Sequence, residues 1–206
     1  MRVIEVQGSF GIESLAVAER PEPEPGKGEV KIRMKASSLN FRDFLMVQGL
    51  YNPRQPLPII PCSDGVGEVV EIGEGVSRVR VGDRVAGCFF QGWPSGEPTA
   101  EKAVTTLGSP LDGMLAEYRV LDEQGVVHVP GHLSDEQAAT LPCAALTAWS
   151  ALVTYGGRKP GDTILVQGTG GVSLFGLQIG RMIGVGFVVA SGGQRLVTDS
   201  DALNPA

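Results

Sequence analysis

A short apolar run, Thr163-Ile-Leu-Val-Gln167, leads directly into Gly168-Thr169-Gly170-Gly171-Val172-Ser173, and a helical segment over 174–183 follows. Few local patterns restrict a fold so tightly. A strand passing through a glycine turn into a helix starts a parallel α/β unit, and the apolar run Val185 to Ala190 is placed to be the next strand. Gly168 permits the tight turn and Gly170 lets backbone approach a pyrophosphate. The amides of Gly171 and Val172 then face anionic oxygens at the helix N-terminus. Ser173 stands where a third glycine would allow close helix–strand packing, a mild departure because serine is small. The competing reading is a glycine-rich turn with no ligand.

The chain before this unit reads differently. Strand-length apolar runs occur at Arg2 to Val6, Leu15 to Ala18, Val30 to Lys35, Asp64 to Glu71 and Val85 to Phe90, separated by Pro21-Glu-Pro-Glu-Pro-Gly, Gly73-Glu-Gly75 and Val81-Gly-Asp-Arg84. Such spacing predicts a compact antiparallel barrel or sandwich. The 29 glycines and 14 prolines among 206 residues favour the same strand-and-turn architecture. Residues Gln91 to Asp112 are weakly periodic and predict a surface excursion, with a new strand at Met114 to Val120. Ser134 followed by Gln137 fits a capping box. The helix it starts is expected to break at Pro142, and a second helix over Ala144 to Tyr155 is expected to end at Gly156-Gly157. Three segments follow: 1–130, 131–193 and a divergent polar tail, 194–206.

Composition excludes some functions. With a net charge of −6, a pI near 5.0 and no Lys/Arg cluster, there is no electrostatic reason to bind nucleic acid or an anionic membrane surface. The most apolar window, Ile179 to Ala190, is interrupted by Arg181 and several glycines, so no membrane span or signal peptide is expected. Cys62, Cys88 and Cys143 are odd in number and widely spaced, which makes a disulfide framework a poor expectation and a cytoplasmic setting the default.

Seven phrases occur in an order that resembles the medium-chain dehydrogenase/reductase family: Asn40-Phe-Arg-Asp43, Pro61-Cys-Ser-Asp-Gly-Val-Gly-Glu-Val69, Val81-Gly-Asp-Arg-Val85, Ala116-Glu-Tyr118, Leu141-Pro-Cys-Ala-Ala-Leu-Thr-Ala-Trp149, Gly161-Asp162 and Val166-Gln-Gly-Thr-Gly-Gly-Val172. The resemblance implies an α+β chain. A catalytic β-barrel domain like co-chaperonin ten (GroES) would precede the first βαβ portion of a Rossmann nucleotide-binding domain. It implies an NAD(P)-dependent oxidoreductase and a cytoplasmic enzyme.

In the zinc-dependent relatives, metal ligands lie in the phrases C-H-T-D and G-H-E and at a later cysteine. The matching positions here are Asn40, Ser63 and Cys143. One soft ligand of three does not make a tetrahedral N/S site, and the stretch expected to carry four structural-zinc cysteines, Gln91 to Asp112, has none. No zinc is therefore expected. Without a Lewis acid a simple alcohol is a poor substrate, whereas an enone, a quinone or another activated carbonyl carries its own electron sink. Alcohol dehydrogenase-like activity is the alternative among enzymes.

By the same resemblance, Asn40 faces the nicotinamide and donates to a substrate carbonyl, Asp43 orients the Asn40 loop or pairs with an arginine, and Tyr51 borders the substrate cleft. The aromatic expected at Leu45 is missing. Arg42 stands at a proton-relay position and removes that relay. Thr147 approaches the nicotinamide, or back-bonds to its own helix. Near the second strand no carboxylate appears; Ser191, with Arg195, suits a 2′-phosphate, so NADPH is expected, with NADH the alternative. His128 and His132 show no partner pattern and read as structural.

A complete Rossmann domain needs about six strands, and two are expected here. The ending therefore reads as a C-terminal truncation, and one edge of the strand 163–167 has no sequence to cover it. Two hypotheses follow: an NADPH-dependent enzyme, or an inactive barrel acting as a binding module or self-associating as a homodimer through that edge.

Overall fold

The computed structural model describes residues 1–192 and 195–198; beyond residue 186 it describes backbone only. Two compact units emerge, Met1–Pro142 and Cys143–Ala206.

In the first unit, β1 (Arg2–Val6) pairs antiparallel with β2 (Leu15–Glu19). A five-stranded antiparallel sheet is built from β3 (Glu29–Ser38), β4 (Asp64–Ile72), β5 (Arg84–Gly87), β6 (Tyr118–Asp122) and β7 (Val126–His128), in the order β6-β3-β4-β5-β7. The sheet curls as a half-barrel around Val30, Ile32, Val69, Val79, Val85, Leu107, Met114, Leu121 and Val126. Two irregularities in the β3–β4 register, at Lys31/Ile32 and Met34/Ala36, increase the local twist that curling requires. Gly67 lies between them, where a Cβ would sit 2.3 Å from the Arg33 carbonyl oxygen, so only glycine permits this approach.

Two expectations for this unit need correction, and one element was not foreseen. First, Gln91–Asp112 is only partly an excursion: after a short helix, α2 (Ala100–Ala103), the chain turns inward and Leu107 enters the main core. Second, β6 begins at Tyr118 rather than Met114, because residues 114–117 bond irregularly to both Ile4 and Met34. The unforeseen element is a helix, α1 (Phe41–Val47).

The Ser134–Gln137 capping box is present and starts α3 (Asp135–Ala139), whose Ala138 and Ala139 pack on Val66 and Ala86. Pro142 does not break the chain's helical path. A π-helical turn, Leu141–Ala145, runs into α4 (Leu146–Trp149) and a second π turn, Ser150–Thr154. A proline near the start of a turn removes an N–H that needs no helical partner.

In the second unit, β8 (Thr163–Gln167) runs parallel to β9 (Phe187–Gly192), and α5 (Gly171–Met182) crosses between them. Residues read as polar tail instead form β10 (Arg195–Thr198), antiparallel to β9. Residues 193, 194 and 199–206 of that tail lie outside the described residues. Among the described residues no helix is long and apolar enough to cross a membrane.

Candidate active site and phosphate turn

Asn40 occupies the N-cap of α1 with extended backbone (φ −112°, ψ 156°). Asp43, one turn on, reaches back: its Oδ2 accepts from the Asn40 main-chain N–H at 2.7 Å. The reciprocal contact holds the entry to the helix as a capping box does, with Asp in place of the usual Glu or Gln. That substitution hides the helix from a search for the standard signature. Asp43 is 4% exposed. Burial pushes its carboxyl above the ordinary value, against the downward pull of the Asn40 and Ser63 main-chain amides and of Arg42.

This arrangement fixes the Asn40 main chain and leaves its amide group with a task. Asn40 Nδ2 is shielded from water and has no hydrogen-bond partner among the described residues. A shielded donor of this kind costs free energy until an acceptor meets it. Tyr51, 51% exposed, lies on the turn after α1, where its main-chain N–H donates to the Leu45 carbonyl at 3.1 Å. Arg42 packs on the Tyr51 ring, its guanidinium carbon 4.5 Å from the centroid.

The donor set on this unit does not fit a zinc ion. Asn40 offers an amide, and the Ser63 hydroxyl donates to Asp64 Oδ1 at 2.7 Å in a fully buried pair. Neighbouring Cys62 is buried in a left-handed conformation (φ 71°). Burial, with Asp43 and Asp64 nearby, pushes its thiol far up, away from the thiolate a metal binds. Cys143 is half-buried and belongs to the other unit.

On the second unit the glycine turn leaves its backbone uncovered at the start of α5. Gly168 is left-handed (φ 88°), which a side chain rarely adopts, and Gly170, the N-cap of α5, has nothing within 4 Å of where a Cβ would project. The first helical bond is from Leu174 N–H to Gly170 O, so the amides of Gly171, Val172 and Ser173 precede the intrahelical ladder. An open cradle of first-turn amides on a twelve-residue helix fits a dinucleotide pyrophosphate.

Two residues here do more than the sequence indicated. Ser173 Oγ donates to the Gln167 carbonyl at 2.7 Å and closes the turn. The close helix–strand approach falls to Gly176, where a Cβ would lie 2.8 Å from Val166 Cγ1. A glycine three residues past the turn was the available signal. Thr169 is exposed in the turn, and Thr147 is exposed on α4. Ser191 pairs in register with Gln167, and its side chain lies outside the described residues, as does that of Arg195. His128 pairs with Asp83 at 3.0 Å, and His132 is exposed.

The alcohol dehydrogenase GroES-like domain model matches residues 26–131. A zinc-type alcohol dehydrogenase-like protein of Schizosaccharomyces pombe is 41% identical over 186 residues, covering 88% of this chain and 53% of its own. A chloroplastic quinone-oxidoreductase of Triphysaria versicolor is 36% identical over 204 residues, with 95% and 56% covered. Among solved structures, a putative alcohol dehydrogenase from Sinorhizobium meliloti superposes with a TM-score of 0.84 at 40% identity, over 95% of this chain and 58% of that one. The chain thus spans about half the length of the curated relatives it matches.

Proposed function

The chain belongs to the alcohol dehydrogenase GroES-like family of medium-chain dehydrogenases/reductases, and from that premise we propose that it serves an NADPH-dependent, zinc-independent reduction of an enone, quinone or similarly activated carbonyl. The observation that carries this reading is the shielded, unpartnered Nδ2 of Asn40 at a position where zinc-dependent relatives place a metal ligand.

Bound at the turn of α5, a reduced nicotinamide dinucleotide would supply the hydride. The first-turn amides of Gly171 and Val172 would hold its pyrophosphate, and Ser173 keeps the turn closed. Asn40 donates to the acceptor oxygen and stabilises the negative charge that grows there as hydride arrives, which is strongest where water is excluded. Asp43 fixes the Asn40 main chain, so the amide needs little reorganisation. Solvent supplies the proton that completes the reduction. Ser191 and Arg195, with no carboxylate from Val189 to Arg195, favour the 2′-phosphate of NADPH over the ribose hydroxyls of NADH.

The test combines NADPH titration, followed by nicotinamide fluorescence, with steady-state reduction of menadione and cyclohexenone. Saturable binding is expected, with NADPH preferred over NADH and turnover insensitive to o-phenanthroline. Asn40→Ala is expected to lower turnover on the order of 100-fold, the usual scale for one oxyanion donor, with NADPH affinity unchanged. Absence of saturable NADPH binding, or turnover abolished by the chelator, sinks the reading.

A further inference from the structure

Arg42 makes contacts that the capping of Asn40 does not require. Its Cζ lies 4.5 Å from the Tyr51 ring centroid and 4.8 Å from that of Phe89. Nη1 donates to the Leu107 carbonyl at 3.0 Å, while Nη2 donates to the Ser109 carbonyl at 2.7 Å and to Thr106 Oγ1 at 3.3 Å. Among the described residues no carboxylate forms an ion pair with it.

A guanidinium partnered by carbonyls and ring faces is held in all three dimensions. The planar fork fixes orientation through its edge, and the rings fix it through its faces. An ammonium can donate to a carbonyl or sit over a ring, but it has no plane or fixed fork through which both could set one orientation. Arg42 so joins α1 and the turn carrying Tyr51 to two segments distant in sequence, Phe89 and residues 106–109. A second buried contact runs in parallel, from Ser109 Oγ to Gln55 Oε1 at 2.7 Å. Thr106, Ser109 and Gln55 are each under 8% exposed, so this seam is part of the interior. Tyr51 is half exposed although Arg42 covers part of it, and Arg42 lies two residues along the chain from Asn40.

We infer that Arg42 is a positioning residue of the acceptor site, a key that locks the Tyr51 ring and the 106–109 segment into one rigid wall two residues from Asn40. The inference rests on the reading of Asn40 and Tyr51 given under Proposed function. It assigns the wall's rigidity to the geometry of the guanidinium rather than to its charge, which is why Arg42→Lys is the informative change.

The test compares wild type, Arg42→Lys, Arg42→Gln, Tyr51→Leu and the Arg42→Gln/Tyr51→Leu pair. Hydrogen exchange is read over 49–55 and 106–111, with 163–182 as an internal reference, and the dissociation constants of menadione and NADPH are measured without turnover. Arg42→Lys is expected to speed exchange in the first two segments by about tenfold and leave the reference unchanged, a local loosening rather than global opening. It is expected to weaken menadione about tenfold with NADPH within twofold, as loss of a bidentate fork predicts. The double variant is expected to weaken menadione no more than its worse single parent, because both changes remove one wall.

Wild-type exchange rates in Arg42→Lys would overturn the inference, as would strictly additive losses in the double variant. Acceleration of exchange in all three segments would make Arg42 a general stability residue and overturn it equally. Menadione binding by the wild type with no NADPH oxidation would instead defeat the oxidoreductase reading, and the menadione series would still decide the role of Arg42.

Discussion

The two units carry similar apolar runs and use them differently. In the first, β3 alternates across a curled sheet, and Val30 and Ile32 are fully buried within a nine-residue cluster. In the second, β8 reads Ile-Leu-Val, the near-continuous pattern of a strand covered on both faces. Ile164 is buried, yet Leu165 is 60% exposed. Among the described residues β8 also lies at one end of its sheet, in the order β10-β9-β8. The first unit thus derives its order from a closed apolar core, whereas the second depends on backbone geometry at a few glycines and on one helix packed against one face.

The sharpest way to break that comparison is to hollow the first core. Ile32→Ala removes a fully buried side chain from the centre of the cluster. A loss of about 3 kcal/mol in unfolding free energy is expected, from transfer plus an unfilled cavity. Urea denaturation followed by circular dichroism measures it; a loss below about 1 kcal/mol would mean that the core collapses around the gap and is less closely packed than its burial indicates.

Gly176→Ala tests the second unit on its own terms. The added Cβ would sit 2.8 Å from Val166 Cγ1, which is short-stemmed and cannot swing aside. Helix α5 must shift from β8, at a cost of about 1–3 kcal/mol. Because the first turn of α5 carries the phosphate-facing amides, NADPH affinity should fall with stability. Thermal melting with and without NADPH checks both. A variant as stable as the wild type would show that glycine at 176 is not needed for the close approach.

How much of this was legible in sequence follows from the range of each interaction. β1, β8 and the capping box of α3 rest on neighbours within a few residues, and each appears where the pattern places it. The glycine turn from β8 into α5 was readable for the same reason. Helix α1 was not, because Asp43 does the work usually done by a longer side chain. Arg42 was legible only as a missing relay, since its hydrogen-bond acceptors lie more than 60 residues away along the chain. The inward path of 106–109 was hidden likewise: a weakly periodic stretch becomes interior once an arginine and a glutamine satisfy its polar groups.

Asp43 allows a subtler comparison, between a charge at the site and the same shape without it. Its folded-state pKa is raised above the ordinary 3.8, chiefly by burial. The folded chain therefore keeps the proton to higher pH than the unfolded chain does. Stability that is full below the ordinary value is lost as pH rises through the raised one. Asp43→Asn keeps an oxygen that can accept from Asn40 N–H and removes the titration. The variant should lose this component of the pH slope above pH 4, read from urea midpoints between pH 3.5 and 7. Identical slopes would mean that Asp43 titrates alike in both states.

The smallest effect is expected where the contrast between the units is most visible. Leu165→Thr exchanges an exposed leucine for a residue that also favours strands, on the face of β8 opposite buried Ile164. With 60% of the side chain in water, little apolar area is given up, and stability should change by no more than about 0.5 kcal/mol. Urea denaturation at two protein concentrations tenfold apart measures it. A loss approaching that of Ile32→Ala would place Leu165 in a buried environment in solution, and the asymmetry between the two units would then be false. A loss present only at the higher concentration would locate that burial between molecules, because only an association between chains responds to mass action.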